Sequence, residues 1–269
     1  MLNNSELLAR RSSATNILRQ AGKVARARFT DRDFETESKG VQDFVSIVDR
    51  ETEDFIRQAL SKAFPDDTIM GEEGGGVLGQ STWIIDPIDG TSNFVRGIGH
   101  WCLSAALVAD NHAVVGIIYD PMLDEMFTCH AGSGATLNGR PMQVSDTTSP
   151  NAALLGVSFN FQNSKGKVSR VVGDLISNGT SFRMLGAGAL SLAHCAAGRT
   201  DGFWEGFMKP WDAAAGLALV AEAGGVVCDY GAASGFANGN AVLVSTPSLA
   251  PYFSDITGVV MPTSTGVLT

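Results

Sequence analysis

Cysteine, histidine and basic side chains are all scarce in this chain of 269 residues. The four cysteines, Cys102, Cys129, Cys195 and Cys228, are widely scattered and form no C-x-x-C pair. That argues against a disulfide framework and a cysteine zinc site, and points to a reducing compartment. His100, His112 and His130 form no spaced pair and read as incidental. Lysine and arginine number 19 against 28 aspartates and glutamates, for a formal net charge of −9. A nucleic-acid partner, which favours a basic face, is not expected. No apolar run approaches membrane-spanning length. Arg10, Arg11, Arg19 and Lys23 interrupt the N-terminal stretch, so no signal-peptide segment is expected. These absences together predict a soluble, cytoplasmic protein.

What is present is an ordinary globular composition, 44% hydrophobic, enough for one large domain or two ordinary ones. The pattern changes near residue 146, at a Ser/Thr/Pro-rich patch, which predicts an N-terminal part over residues 1–146 and a C-terminal part over 147–269. In the first part, a Ser5 cap and helical spacing of apolar residues predict a helix over 5–29, followed by a polar link over 30–43 and a second helix over 44–63. Strands are expected at 67–71, 83–85, 102–109, 113–119 and 125–129, followed by turns from Gly132 to Gly139. This amounts to two helices on an antiparallel sheet. In the second part strands at 153–159, 181–185, 201–206, 226–229 and 241–244 alternate with helices at 165–177, 190–197 and 211–223, an α/β arrangement. Residues 162–180 show no motif.

The chemistry concentrates in Trp83-Ile84-Ile85-Asp86-Pro87-Ile88-Asp89-Gly90-Thr91. An apolar run ends in a carboxylate, Pro87 removes a ladder donor, and a second carboxylate precedes a Gly-Thr helical turn. Two acids beside the amides of a helix start can hold cations and an anion together. Glu72 and Glu73 precede the run Gly74-Gly75-Gly76; alone, such acids are usually a solvated turn. Asp212 sits in the first turn of a helix that is apolar on nearly every side, where an acid complements the dipole. Asp49 falls inside the apolar stripe of the second helix. It either pairs with Arg50 or Arg57 at the stripe margin or points at a metal or a water. Like charges about 4 Å apart repel by roughly 4 kcal/mol at an effective dielectric near 20. A cluster of Glu72, Asp86, Asp89 and Asp212 therefore needs a hard divalent cation, and magnesium suits phosphate chemistry best. A bound cation would also let so acidic a protein accept a phosphate ester.

The segments Gly71-Glu72-Glu73, Trp83 to Phe94 (WIIDPIDGTSNF), and Trp211 to Gly216 (WDAAAG) with Glu222-Ala223-Gly224-Gly225 together resemble the inositol monophosphatase family in order and spacing. The resemblance implies a layered αβαβα sandwich, mixed α+β and α/β, and usually a homodimer. It implies that Glu72, Asp86, Asp89, Asp212 and the Ile88 carbonyl bind two to three magnesium ions. The Gly90 and Thr91 backbone would hold the phosphate, while Thr91 and Asp49, supported by Glu73, would position and deprotonate the attacking water. Glu205, Asp212 and the Gly186-Ala187-Gly188 backbone would contact the substrate, and Lys39 and Asp43 match a loop closing near the third metal. Lithium inhibition is implied too. One departure is visible: Gly97-Ile98-Gly99-His100-Trp101 lacks a proline that family members commonly carry before the following strand.

Other phosphatase signatures fit less well. Asp86-Pro87-Ile88-Asp89 is one residue too long for D-x-D-x-T. His194-Cys195 is followed by Arg199 too soon for His-Cys-x5-Arg, so both residues are expected to serve core packing. Gly186-Ala187-Gly188 lacks the third glycine of a dinucleotide fingerprint. The expected activity is magnesium-dependent hydrolysis of a small phosphomonoester, inositol-1-phosphate first and histidinol phosphate as the alternative. Fructose 1,6-bisphosphate and adenosine bisphosphate are weaker candidates. A non-catalytic dimeric binding protein with the same fold is the reading from a different class.

Overall fold

The computed structural model describes residues 2–32, 34–40, 43–159 and 165–262. In chain order its elements begin with α1 (Asn4–Asp31), β1 (Thr36–Gly40), β2 (Asp43–Ser46), α2 (Ile47–Ala63), β3 (Thr68–Gly71), β4 (Ser81–Asp89) and α3 (Thr91–Arg96). There follow β5 (Cys102–Ala109), β6 (His112–Asp120), β7 (Glu125–His130), β8 (Ala135–Leu137), β9 (Arg140–Met142), β10 (Leu154–Ser158) and α4 (Lys165–Ser177). The chain then runs through β11 (Ser181–Arg183), α5 (Gly188–Ala196), β12 (Gly202–Met208), α6 (Pro210–Glu222), β13 (Val226–Val227), α7 (Gly235–Asn238), β14 (Asn240–Ser245) and α8 (Ala250–Thr257).

The architecture is the expected αβαβα stack. Helices α1 and α2 cover one face of a seven-stranded sheet, ordered β3-β4-β5-β6-β7-β8-β9. Helices α5 and α6 fill the space between that sheet and a five-stranded one, ordered β11-β10-β12-β14-β13. Helices α4 and α8 close the far side. One buried cluster joins both sheets through Leu192, Ala214, Leu217 and Leu219 of the middle helices. A second lies under α1 and α2, around Trp83, Phe94 and Trp101.

Several boundaries differ from the sequence reading for identifiable reasons. Helix α1 is capped by Asn3, whose side chain accepts from the Glu6 amide while Glu6 returns the bond to the Asn3 amide. This reciprocal box outcompetes Ser5 as the cap. The link expected over 30–43 contains β1, and Lys39 and Asp43 belong to the strands of the β1–β2 hairpin. Strand β4 does not stop at Pro87: it pairs with β5 up to Asp89, with the register slipping between Asp86 and Asp89. The slip absorbs the missing donor as a bulge. The turns at 132–139 enclose the short strands β8 and β9. Of the 162–180 stretch, residues 162–164 lie outside those described.

The seven-stranded sheet is not wholly antiparallel. Strands β3 and β4 run parallel, with Thr68 opposite Thr82 and Gly71 opposite Ile85. The excursion through residues 72–80 carries the chain back to the start of its neighbour. Both strands therefore end on the same edge, and Glu72 leaves its strand beside Asp86.

Asp67 ties this edge to α1. Its carboxylate accepts two bonds from Arg10, at 2.9 and 3.1 Å, one from the Trp83 indole at 3.1 Å and another from the Ser81 hydroxyl. Asp67→Ala strands Arg10 and the buried indole N–H together, so it is expected to cost about 3 kcal/mol of stability. Urea unfolding of the variant checks this; a loss below about 1 kcal/mol would contradict it.

Candidate functional site

Three elements deliver the acids. The bulged end of β4 carries Asp86 and Asp89, the first turn of α6 carries Asp212, and the turn after β3 carries Glu72. Oxygens of Asp86, Asp89 and Asp212 lie within 4.8 Å of one another. Helix α6 starts at Pro210, a residue suited to a helix start. The Trp211 carbonyl accepts from Ser104 on β5 at 3.2 Å, which fixes this start against the first sheet. Asp212 is therefore not simply an acid complementing a helix dipole: it faces two further carboxylates.

Each acid is held by donors as well as by its neighbours. Asp86 accepts from the Ile88 amide at 2.9 Å. Asp89 accepts from the amides of Gly188 and Leu190, at 2.9 and 3.1 Å, at the start of α5. The Gly186-Ala187-Gly188 backbone is thus coupled to the acid cluster through Asp89. Burial, and then the charges of Glu72, Asp212 and Asp89, push the Asp86 carboxyl well above the usual carboxylate range. Burial and Asp89 raise Asp212 to about 7.

This crowding has a consequence for stability. An acid with a raised folded pKa binds a proton that the unfolded chain has already lost, so stability falls as pH rises between the two values. In solution stripped of divalent cations, thermal stability is expected to decline as pH rises from 3.8, the ordinary value, through about 7. Magnesium at neutral pH should restore it. A melting temperature that is flat across that window and indifferent to magnesium would contradict the account.

Asp49 is only 1% exposed, so it is not a margin acid. The Ser46 amide and hydroxyl hold Oδ2, and the Thr91 hydroxyl reaches Oδ1 at 3.1 Å. Arg57 instead pairs with Glu53, at 2.7 Å. The Thr91 hydroxyl also faces the Ile88 carbonyl at 3.0 Å. Burial is the main reason that Asp49 is raised to about 6; the Glu73 charge adds to it, while Ser46 and Thr91 oppose it. Gly90, between Asp89 and Thr91, has φ 93°, and a Cβ there would come within 3.1 to 3.3 Å of Ala187 and the His100 and Gly186 carbonyls. Backbone conformation and space both select glycine at this turn.

A cavity of about 360 Å³ opens over the acids, lined by Asp89, Asp212, Ser92, Gly186 and Gly188 together with Val157, Ser158, Phe159, Met184 and Glu205. Glu205 and Ser158 are register partners on the parallel strands β12 and β10. Burial, with Asp212 and Asp89 nearby, pushes the Glu205 carboxyl well up. A larger cavity of about 640 Å³ lies against α6 among Leu217, Ala221, Val227 and Phe236, and none of the clustered acids lines it.

Cys195 is fully buried in α5 and its thiol is pushed up to about 12 by burial, which suits packing and not nucleophilic attack. His194 and His100 stack edge to face at 5.6 Å. The sequence reading overlooked Glu53, whose 1% exposed carboxylate binds the turn carrying Glu72 and Glu73. Its spacing four residues after Asp49 was the available signal.

The profile of the inositol monophosphatase family matches residues 8–255. The protein called Nus factor SuhB from Haemophilus influenzae is 37% identical over 242 residues, spanning 87% of this chain and 90% of that protein. Its namesake from Escherichia coli K12 is 38% identical over 223 residues, spanning 81% and 84%. Among solved structures, the extragenic suppressor protein suhB of Bartonella henselae superposes with a TM-score of 0.84 at 32% identity, over 90% of this chain and 95% of that one. A Thermotoga maritima protein described as an IMPase gives 0.82 at 32% identity, over 91% and 94%.

Proposed function

The chain belongs to the inositol monophosphatase family, and from that premise we propose that it hydrolyses a small phosphomonoester with magnesium, inositol-1-phosphate being the leading substrate. The observation that carries this reading is the convergence of Asp86, Asp89 and Asp212 within 4.8 Å beside a cavity that Asp89 and Asp212 help to line. The donors are all oxygens on short, rigidly held side chains, a set that fits a hard divalent cation. Asp86, Asp89, Asp212, Glu72 and the Ile88 carbonyl would hold the metal. Magnesium, when bound, supplies charge to polarise the phosphoryl group and to acidify a coordinated water.

The remaining work falls to the chain. The Gly90 and Thr91 amides are assigned to the phosphoryl oxygens. The Thr91 hydroxyl donates to Asp49, so its lone pair can accept from an attacking water and Asp49 can take the proton. A base raised to about 6 is suited to this near neutral pH. Glu73, by its charge, makes Asp49 more basic. Gly186 and Gly188 line the cavity, and the Gly188 amide, through Asp89, keeps this backbone in register with the acids. Val157, Phe159 and Met184 flank Glu205 and Ser158 where the alcohol portion would lie, a mixed wall suited to a ring that carries hydroxyls.

The relatives named Nus factor SuhB favour a second reading, in which the fold serves by binding partners without turnover. Phosphate release from inositol-1-phosphate and histidinol phosphate, assayed side by side with and without magnesium and with lithium added, separates the two. Magnesium-dependent, lithium-inhibited release from inositol-1-phosphate supports the first. Preference for histidinol phosphate reassigns the substrate, and no release from any phosphomonoester leaves the binding role.

A further inference from the structure

Asp49, Glu53 and Arg57 follow one another at four-residue intervals on α2 and so share one face of the helix. Each is committed to a loop that bears an acid of the site. Asp49 meets Thr91 on the turn after β4. Glu53 accepts from the Glu73 amide at 2.8 Å, the Gly74 amide at 2.7 Å and the Arg57 guanidinium at 2.7 Å. Arg57 in turn reaches the carbonyls of Ile69 and Gly75. The Gly71 amide closes the same turn by donating to the Gly75 carbonyl at 3.0 Å.

Residues 74–80 are all exposed, with Val77 at 77%, so no apolar side chain fixes the backbone from which Glu72 and Glu73 project. Glu53 supplies acceptors only, which matches three converging N–H donors. The fit is tight: a Cβ on Gly71 would sit 2.5 Å from a Glu53 oxygen.

We propose that Glu53, oriented by Arg57, is the positioning residue that holds the Glu72–Glu73 turn at the level of Asp86, and thereby sets the affinity of the acid cluster for its cation. Helix α2 then acts as a gauge, with Asp49 and Glu53 one turn apart holding the start of α3 and the Glu72–Glu73 turn beyond the last β3–β4 pair, Gly71 with Ile85. The inference rests on the metal-dependent reading given above, with Glu72 as a ligand. Partners that orient a metal ligand typically change metal affinity 10- to 100-fold.

The test compares Glu53→Gln and Gly71→Ala with wild type and with Asp67→Ala, a variant that loosens the same sheet edge without touching the turn. Glutamine turns an N–H group toward one of the amides, and the alanine methyl displaces the carboxylate while Glu53 itself is retained. Magnesium binding is read by calorimetry, and the magnesium concentration for half-maximal phosphate release is read separately, on samples shown to be folded by circular dichroism. Both turn variants are expected to bind magnesium at least about 10-fold more weakly, with Asp67→Ala close to wild type. Wild-type affinity in a folded Glu53→Gln or Gly71→Ala protein overturns the proposal, as does an equal loss in Asp67→Ala. Wild-type protein that neither binds magnesium nor releases phosphate instead defeats the functional reading on which it rests.

Discussion

Asp89→Asn is expected to lower kcat/KM for the phosphomonoester by about 10³-fold or more. A metal's stabilisation of developing charge is worth several kcal/mol, and each 1.36 kcal/mol is a factor of ten. Asparagine keeps the size of the side chain and removes one ligand charge. It also alters the fold locally, because both Asp89 oxygens are engaged by the Gly188 and Leu190 amides. The new NH₂ group must face one of those donors, at a cost of about 1–3 kcal/mol. Relief of repulsion from Asp86 and Asp212 works in the opposite direction, so the stability change should stay within that bound. Steady-state kinetics across a magnesium series, with urea unfolding alongside, measures both effects. A variant that reaches near-wild-type rate at saturating magnesium would remove Asp89 from the metal site.

Asp49→Asn is expected to reduce kcat by about 10²- to 10⁴-fold, the range for loss of a general base, with KM changed far less. The two Ser46 donors should keep the amide oxygen on their side, which leaves its nitrogen facing the Thr91 hydroxyl. That hydroxyl then meets a donor where it met an acceptor, and no group remains to take the proton. The pH profile provides an independent check. In the wild type, kcat should fall as the solution is made more acidic than about pH 6, where Asp49 becomes protonated; this limb should be missing from the variant. A change in KM with kcat untouched would contradict the assignment.

The positioning role argued for Glu53 shows where a linear reading stops. Asp49 is conspicuous because it interrupts an apolar stripe; Glu53 looks like one more acid on a helix with several. Its partners are backbone amides at Glu73 and Gly74, and no side-chain pattern marks an amide as a partner. The Asn3 cap was passed over for Ser5 on similar grounds, since Asn, Ser and a following acid all suit a helix start and only the reciprocal bond with Glu6 distinguishes them. Helix α8 and strands β8 and β9 are too short for periodicity to reveal them.

By itself the sequence determined which helix faces are buried and which element ends carry carboxylates, while the layer order came from the family resemblance. Apolar spacing along α1, α2, α5 and α6 selects the faces that must be buried, and DPIDGT with WDAAAG places carboxylates at element ends. Tertiary structure decided how those ends meet. Parallel pairing of β3 with β4, Gly71 opposite Ile85, brings Glu72 to Asp86, and α6 between the sheets brings Asp212 to Asp86 and Asp89. Strand direction and helix placement are settled by burial of surfaces distant in the chain, because packing energy is shared among residues that local spacing cannot relate.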